Sequence, residues 1–168
     1  MKIKIKKFKY VKSTNDVAIK LIKNNISHPT LIATENQTKG RGTRGKRWVS
    51  LKGNLFMSIF FRLDKKKINF KQFAILNAFI IRKLISKKIS VKIKIKWPND
   101  LLSNKEKICG ILQEVVSFKN SKYLIVGIGL NTNITPQNKN FSSTSLKNII
   151  NKRINNKIIL KNIKEGYG

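Results

Sequence analysis

Short apolar runs separated by polar, lysine-rich stretches make up most of this chain, and the spacing within each run predicts its structure. The first half predicts a half-buried strand, a short helix capped by residues 13–16, and two further strands. The positions that carry these predictions are Ile3, Ile5 and Phe8 in the first strand, Val17, Ala18, Leu21 and Ile22 on the helix, and the runs 31–34 and 55–61.

The second half predicts, in order, the longest helix, a strand, a hairpin, a further strand and a weak helix. Pro98 lacks a backbone N–H and therefore ends the strand before it. The ranges are 70–85 for the helix, 91–96 for the strand, 101–102 and 108–116 for the hairpin, 123–128 for the last strand, and Ser142 through Leu146, Ile149 and Ile150 for the weak helix. This order predicts one α+β domain over residues 1–168, with a mixed, mostly antiparallel sheet and helices on one face.

Composition narrows the class of protein without identifying a ligand. The net charge is +30, and lysine supplies 31 of the 37 cations, scattered among many Ile and Asn residues. This scatter is typical of compositional drift, so the charge alone does not establish nucleic-acid binding. The single cysteine, Cys109, excludes an internal disulfide, His28 lies beside Pro29 in a predicted surface turn, and no His/Cys cluster indicates a metal site. With no run of about 18 apolar residues, we predict a cytoplasmic protein without a membrane segment.

Residues 35–48 form a glycine- and arginine-rich stretch between two predicted strands. Gly40, Gly42 and Gly45 permit close backbone approach, so that successive N–H groups can point at one anion, and the interleaved cations attract that anion. The stretch predicts a loop that binds phosphate or another anion, and a solvated basic hairpin is the alternative. It lacks the Gly-Lys-Ser/Thr of a P-loop and the GxGxxG of a dinucleotide site.

Four segments now line up in order. They are Ser13-Thr14-Asn15, the loop from Gln37 to Trp48, Lys96-Trp97-Pro98-Asn99-Asp100, and Lys107-Ile108-Cys109-Gly110-Ile111-Leu112-Gln113-Glu114, with Gly127-Ile128-Gly129-Leu130-Asn131 behind them. Together, residues 11–133 closely resemble the catalytic domain of the biotin–protein ligases. The resemblance implies a class II synthetase-like fold and a two-step reaction. ATP activates biotin as biotinyl-5′-AMP, and a lysine of the biotin carboxyl carrier domain of acetyl-CoA carboxylase then takes the biotinyl group.

The resemblance also implies roles for individual residues. Lys107 is expected at the junction of the biotin carboxyl and the α-phosphate, Asp100 is expected to accept a proton from the acceptor amine, and Trp48 is expected to stack on adenine. The implied sets are Lys107, Asp100 and Arg41 for catalysis; Ser13, Thr14, Asn15, Gln37, Arg41, Gly42, Thr43, Lys107 and Gly110 for biotin; and Gly40, Arg44, Gly45, Trp48, Lys96, Asn99 and Asn131 for the nucleotide. Mg²⁺ is expected to arrive with ATP, with phosphates and water as most of its ligands and no metal site in the protein.

Structural alternatives stay open for several of these residues. Lys107 and Lys96 could be surface lysines, Asp100 an Asx-turn residue, and Trp48 an aromatic residue at the rim of the core. The chain also departs from the family. Thr43 and Lys46 stand where many relatives carry Arg, so we expect an adenylate that is held less tightly and leaks more readily.

The two ends of the sequence give further expectations. Only 37 residues follow Asn131, so we expect no C-terminal SH3-like domain, and we expect no specific DNA binding because no helix-turn-helix precedes Lys12. A homodimer through a sheet edge is possible. The alternatives to a biotin ligase are a lipoate or octanoate attachment enzyme of the same fold, a degenerate biotin binder without turnover, and a basic nucleic-acid-binding module.

Overall fold

The computed structural model describes residues 2–63, 69–87, 89–137 and 140–168. Within these ranges the strands are β1 (Lys4–Phe8), β2 (Thr30–Thr34), β3 (Leu55–Arg62), β4 (Lys94–Lys96), β5 (Asp100–Ser103), β6 (Glu106–Phe118) and β7 (Ser121–Leu130), and the helices are α1 (Thr14–Lys23), α2 (Phe70–Ser86), α3 (Leu146–Ile150) and α4 (Asn156–Tyr167). The strands form one sheet in the order β1-β2-β3-β7-β6-β5-β4. β1 and β2 are parallel and the other neighbouring strands are antiparallel. The predicted α+β fold with a mixed, mostly antiparallel sheet is confirmed.

The helices cover both faces of the sheet, which corrects the prediction of helices on one face. Successive side chains of a strand point to opposite faces, and β2 and β3 are apolar at most positions, so each face needs a cover. On the face that α1 covers, the α1 face, the buried apolar residues are Ala18, Ile22, Ile32, Phe60, Tyr123 and Ile125. On the opposite face, the α2 face, α2 and α4 pack on a larger cluster that includes Leu31, Met57, Ile59, Ile81, Cys109, Val126 and Ile163.

Two-residue turns make the central hairpins longer than predicted. Asn104 and Lys105 both have positive φ, at 50° and 68°, which is the conformation of a type I′ turn. This turn matches the twist of the flanking strands, so pairing continues up to Ser103 and Glu106. β6 then runs to Phe118 and pairs with β7 up to the next turn. This long hairpin provides the floor of the candidate site described below.

The edges of the sheet are less regular than predicted. β1 is an edge strand whose five residues are all exposed, and its partner in the sheet is β2. The apolar residue of this region that is buried, Ile3, lies just before the strand. At the other edge, β4 has three residues, since Val91 and Ile93 precede the paired segment.

The C-terminal part contains one helix that was predicted and one that was not. α3 forms where predicted, with the Ser145 side chain accepting a hydrogen bond from the Asn148 N–H. α4 was missed because lysines and asparagines interrupt its apolar positions, although Ile159, Leu160 and Ile163 form a buried stripe with helical spacing. In the described ranges, no helix is both long and apolar enough to cross a membrane.

Candidate active site

The floor of the site is made of glycines on the α1 face of β6 and β7. Gly110 pairs with Gly129 across the two strands, and Leu112 pairs with Gly127. A Cβ atom at Gly110 would lie 2.5 Å from the Trp48 indole, and one at Gly129 would collide with the same ring. The missing side chains therefore let the indole lie directly on the sheet.

A cleft opens above this floor, between the start of α1 and the glycine-rich loop. All nine residues predicted to bind biotin line it. The lining consists of the predicted residues Ser13, Thr14, Asn15, Gln37, Arg41, Gly42, Thr43, Trp48, Asn99, Lys107 and Gly110, together with Lys46, Arg47, Ile111, Leu112, Gly127, Ile128, Gly129 and Phe141. Segments far apart in the sequence thus meet at one place.

This cleft is small, and a larger one lies elsewhere. The candidate cleft encloses about 90 Å³ because the Trp48 indole lies on its floor. A wider cleft of about 880 Å³ lies between the ends of β1 and β2 and the start of α4, and none of the predicted site residues lines it. The smaller cleft is the candidate site, since it gathers buried polar groups and paired charges.

The start of α1 is fixed by a buried polar network. The Gln37 side-chain oxygen accepts hydrogen bonds from the Thr14 backbone N–H at 2.8 Å and from the Thr14 hydroxyl at 3.2 Å. The Ser58 hydroxyl donates to Asn15 Oδ1 at 2.5 Å and lies 2.7 Å from the Thr14 hydroxyl. Ser13 occupies the predicted N-cap position but its side chain makes no capping bond. Gln37 satisfies the helix N-terminus instead, so the side chain of Ser13 faces the cleft.

The glycine-rich loop folds back on itself as a short hairpin. The Gly42 N–H donates to the Lys46 carbonyl at 2.7 Å, and the Trp48 N–H donates to the Gly40 carbonyl at 2.9 Å. At the tip, Arg44 and Gly45 both have positive φ, at 55° and 72°. Glycine adopts this conformation without strain. The hairpin returns the chain so that Trp48 comes back over the floor.

Arg41 is held by two carboxylates at the base of this loop. Its guanidinium donates to Asp16 at 2.8 Å and to both carboxylate oxygens of Glu114, at 2.6 and 3.2 Å. Partial burial lowers the pKa of Arg41, but the hydrogen bonds and charges of Glu114 and Asp16 outweigh it and raise the pKa above its ordinary value. The guanidinium is therefore always charged.

Lys107 is held at the other end of the cleft. Its ammonium lies 2.7 Å from the Asp100 carboxylate, and both side chains are mostly buried, at 16% and 20% exposed. The same ammonium lies 5.3 Å from the Trp48 ring centroid and 5.0 Å from that of Phe141, within the range of cation–π attraction. Asp100, Trp48 and Phe141 therefore hold the Lys107 ammonium at this end of the cleft.

Several predicted site residues lie outside the cleft lining. Asp100 reaches the site through its ion pair with Lys107. Gly40 is buried beneath the loop, Arg44 and Gly45 are exposed at its tip, Lys96 is exposed on edge strand β4, and Asn131 is buried behind Lys107. The nucleotide-binding roles of these five residues stay predictions.

Neighbouring groups with other possible chemistries play no part in the cleft. Cys109 points to the α2 face, and burial raises the pKa of its thiol, which therefore stays neutral. Among the described residues, no cluster of three or more His, Cys, Asp or Glu side chains could hold a metal ion.

Some residues of the site were not among the predicted site residues, and the sequence signals that could have identified them differ in strength. Glu114 lies two and four positions after Leu112 and Gly110 on β6, so the alternation of a strand places it on the same face. Gly127 and Gly129 carry the same signal on β7. Ser58 is a polar residue in an apolar strand, and that contrast is the signal that could have marked it. Phe141 lies in a segment without periodicity, and nothing in the sequence pointed to it.

Known proteins resemble this chain over the residues that build the cleft. A sequence model of the biotin/lipoate A/B protein ligase family matches residues 7–131. The bifunctional ligase/repressor BirA of Bacillus subtilis is 36% identical over 126 residues, which are 74% of this chain and 39% of that protein. The biotin–[acetyl-CoA-carboxylase] ligase of Paracoccus denitrificans is 32% identical over 122 residues, which are 71% of this chain and 50% of that protein.

A solved structure extends the similarity to the fold. The biotin protein ligase from Aquifex aeolicus in complex with biotin and ATP matches 97% of this chain and 69% of its own length, with a TM-score of 0.79 and 30% sequence identity. The chain spans half or less of the two curated relatives.

Proposed function

Because this chain belongs to the biotin/lipoate A/B protein ligase family, we propose that it is an ATP-dependent biotin–protein ligase that works in the cleft on the α1 face. The observation that supports the proposal is the meeting of two kinds of group in one cleft. Buried hydrogen-bonding side chains at the start of α1 suit a small polar ring, and the fixed ammonium of Lys107 suits a carboxylate. A biotin molecule needs both.

Recognition of biotin follows from its shape. Biotin carries a polar ureido ring and an apolar acyl chain, so its site needs a few fixed hydrogen-bonding groups and an apolar wall. Thr14 and Asn15 are buried and held by Gln37 and Ser58, and they supply fixed polar groups. The Trp48 indole and Leu112 supply the wall.

Binding has to widen the cleft. Its volume of about 90 Å³ is below the range of about 300–1,000 Å³ for small-molecule sites. The base of the loop is held by the ion pairs of Arg41, whereas Arg44 and Gly45 at the tip are exposed. We infer that the tip and the Trp48 ring move to admit substrate and then close over it, which keeps water from the activated acid.

The first step joins biotin to the nucleotide. A carboxylate oxygen of biotin attacks the α-phosphorus of ATP, the bond to the bridging oxygen breaks, and pyrophosphate leaves with that oxygen. Negative charge grows on the α-phosphate oxygens and is stabilised by Lys107 and by Arg41. Lys107 is suited to this role because Asp100, Trp48 and Phe141 already hold its ammonium in place.

The second step transfers the biotinyl group. The amine of a carrier lysine attacks the carbonyl carbon of biotinyl-5′-AMP, and AMP leaves with the bridging oxygen. Asp100 accepts the proton from the attacking nitrogen. Its ion pair with Lys107 places the proton acceptor of the second step beside the cation that stabilises the α-phosphate in the first.

Mg²⁺ enters this scheme as part of the substrate MgATP. Asp16 and Glu114 are paired with Arg41, and Asp100 is paired with Lys107, so these carboxylates do not form a metal cage. Phosphate oxygens and water supply its ligands. We propose a biotin carboxyl carrier domain as the protein partner, on the analogy of the relative from Paracoccus denitrificans. We also propose that the chain works in the cytoplasm.

The test is biotin-dependent exchange of labelled pyrophosphate into ATP, with octanoate and lipoate in parallel reactions. The assay needs no carrier protein and isolates the first step. We expect exchange with biotin and none above background with the other two acids. Exchange driven by lipoate or octanoate would assign the chain to the other branch of the family, and no exchange with any acid would overturn the proposal.

A further inference from the structure

We propose that Glu114 is a positioning residue of the site, which fixes both the guanidinium of Arg41 and the amide of Asn15. This inference rests on the proposed function and names a residue that touches neither reacting group. Glu114 lies on the α1 face of β6, four residues beyond Gly110, and its side chain is 24% exposed. From there it reaches the loop on one side and α1 on the other.

The contacts of Glu114 join two segments that otherwise approach the cleft separately. One carboxylate oxygen accepts from Arg41 at 2.6 Å. The other accepts from Arg41 at 3.2 Å and from Asn15 Nδ2 at 2.7 Å. A carboxylate accepts several hydrogen bonds and donates none, so one side chain can hold both donors at once.

The Asn15 amide is oriented by this arrangement. Because Glu114 can only accept, the NH₂ group of Asn15 must face β6, where it also lies 3.4 Å from the Leu112 carbonyl. The amide oxygen then faces the Ser58 hydroxyl at 2.5 Å. Gly127 leaves room for this, since a Cβ atom there would collide with Asn15 Oδ1. Glu114 and Ser58 thus leave the amide one orientation, and it is the amide that we assign to the ureido ring.

Arg41 is fixed more firmly by Glu114 than by Asp16. Glu114 binds it through two nitrogen–oxygen contacts, whereas Asp16 makes one, and the Asp16 side chain is 48% exposed. Paired contacts of this kind add directionality to charge attraction. The chain has seven acidic residues against 37 basic ones, and two of the seven meet on Arg41.

The substitution that separates these effects is Glu114→Gln, because it keeps the volume and replaces one acceptor with a donor. The new NH₂ group would face either Arg41 or the NH₂ group of Asn15, so at least one of the two contacts is lost. Asp16→Asn weakens the hold on Arg41 without touching Asn15. Glu165→Gln is the matched control, because Glu165 is exposed on α4 and pairs with Lys161.

Two readouts are measured on the full chain. In pyrophosphate exchange we expect Glu114→Gln to raise KM for biotin by about tenfold, with a smaller change in KM for ATP. We expect Asp16→Asn to raise KM for biotin by a smaller factor and Glu165→Gln to leave KM for biotin unchanged. In a Trp97→Phe background, Trp48 is the one remaining tryptophan, and Glu114→Gln should shift its emission to the red as the loop loosens.

A mutant cycle with Arg41→Ala distinguishes positioning from general destabilisation. If Glu114 acts partly through Arg41, the two changes together should cost less than the sum of the two alone. Additive costs, or a KM for biotin within twofold of the wild type, would overturn the proposal. If the wild type shows no exchange, the proposed function fails, and the Trp48 emission still decides whether Glu114 anchors the loop.

Discussion

The same strands carry a site on one face and a core on the other, and the two faces are built by different means. On β7, Gly127 and Gly129 face α1, whereas their neighbours Val126 and Ile128 belong to the cluster under α2 and α4. Glycine on the α1 face lets polar and aromatic side chains lie directly on the sheet. Large apolar residues on the α2 face remove apolar surface from water and stabilise the fold.

The comparison extends to polar groups. On the α1 face, Ser58, Thr14 and Asn15 are all buried and satisfy one another. On the α2 face the residues adjacent to them in β3, Met57 and Ile59, are buried among apolar side chains. Buried polar groups cost free energy unless they are hydrogen-bonded, so removing one of these side chains leaves its partner on the α1 face buried without a hydrogen bond. Substitutions on the α1 face should therefore change activity first, and those on the α2 face should change stability first.

The largest effect on activity is expected for Lys107→Ala on the α1 face. Removing the ammonium removes stabilisation of the transition-state charge and should lower the rate of biotin-dependent exchange by about a hundredfold or more. The control is Lys122→Ala, an exposed lysine on β7. A rate within threefold of the wild type would remove Lys107 from the mechanism.

Neighbouring substitutions in β3 test the contrast between the faces directly. Met57→Ala should lower the free energy of unfolding by about 2–5 kcal/mol through a cavity, and leave KM for biotin unchanged in the folded fraction. Ser58→Ala should cost about 1–3 kcal/mol, because Asn15 Oδ1 loses its donor, and it should raise KM for biotin. Denaturant unfolding and exchange kinetics measure the two quantities. Equal effects of Met57→Ala and Ser58→Ala on KM for biotin would contradict the proposed difference between the two faces.

A change within the α1 face asks how tightly the loop holds its product. Thr43 lines the cleft, where an arginine could bind the adenylate with a charged hydrogen bond. Thr43→Arg should slow dissociation of biotinyl-5′-AMP by about tenfold. Release is measured after a single turnover without carrier, and identical dissociation rates would sink the idea.

The smallest expected effect is a pH dependence of the unfolding free energy that arises from Cys109 on the α2 face. Burial raises the pKa of the Cys109 thiol, so the folded chain keeps it neutral while the unfolded chain ionises above about pH 8.5. Stability from this group is therefore full below about pH 8.5 and falls by about 1.4 kcal/mol per pH unit above it. Cys109→Ala should reduce the fall in unfolding free energy between pH 8.5 and 9.5 by about 1 kcal/mol, because the thiol of the unfolded chain is only half ionised at the start of this range. An unchanged slope would mean that the thiol ionises as easily in the folded chain.

The sequence predicted the framework better than its edges. β3 and β7 followed from continuous apolar runs, which are typical of strands covered on both faces, and α2 followed from apolar residues at helical spacing. The prediction missed that helices cover both faces of the sheet. A strand that is apolar at every position does not show which helix packs on which of its faces. α4 was missed because its buried stripe is three residues wide and its other positions are mostly Lys and Asn.

The candidate site divides in the same way. All nine residues predicted to bind biotin line one cleft, because they lie in segments with recognisable order and spacing. The partners that fix them were missed. Ser58 is a lone polar residue within an apolar run, and Glu114 is one of several polar residues of β6. Their importance comes from contacts with residues 43 and 73 positions away in sequence, Asn15 and Arg41. Such contacts depend on tertiary packing, which spacing along the chain does not reveal.

The central claim is that biotin binds in the cleft on the α1 face, and the most direct measurement is a crystal structure of the full chain with biotin. The account predicts biotin between α1 and the glycine-rich loop, with its ureido ring hydrogen-bonded to Thr14 or Asn15 and its carboxylate facing Lys107. It also predicts that the Trp48 ring is displaced from the position seen here. Biotin bound in the wider cleft beside α4, or no biotin bound at saturating concentration, would contradict the account.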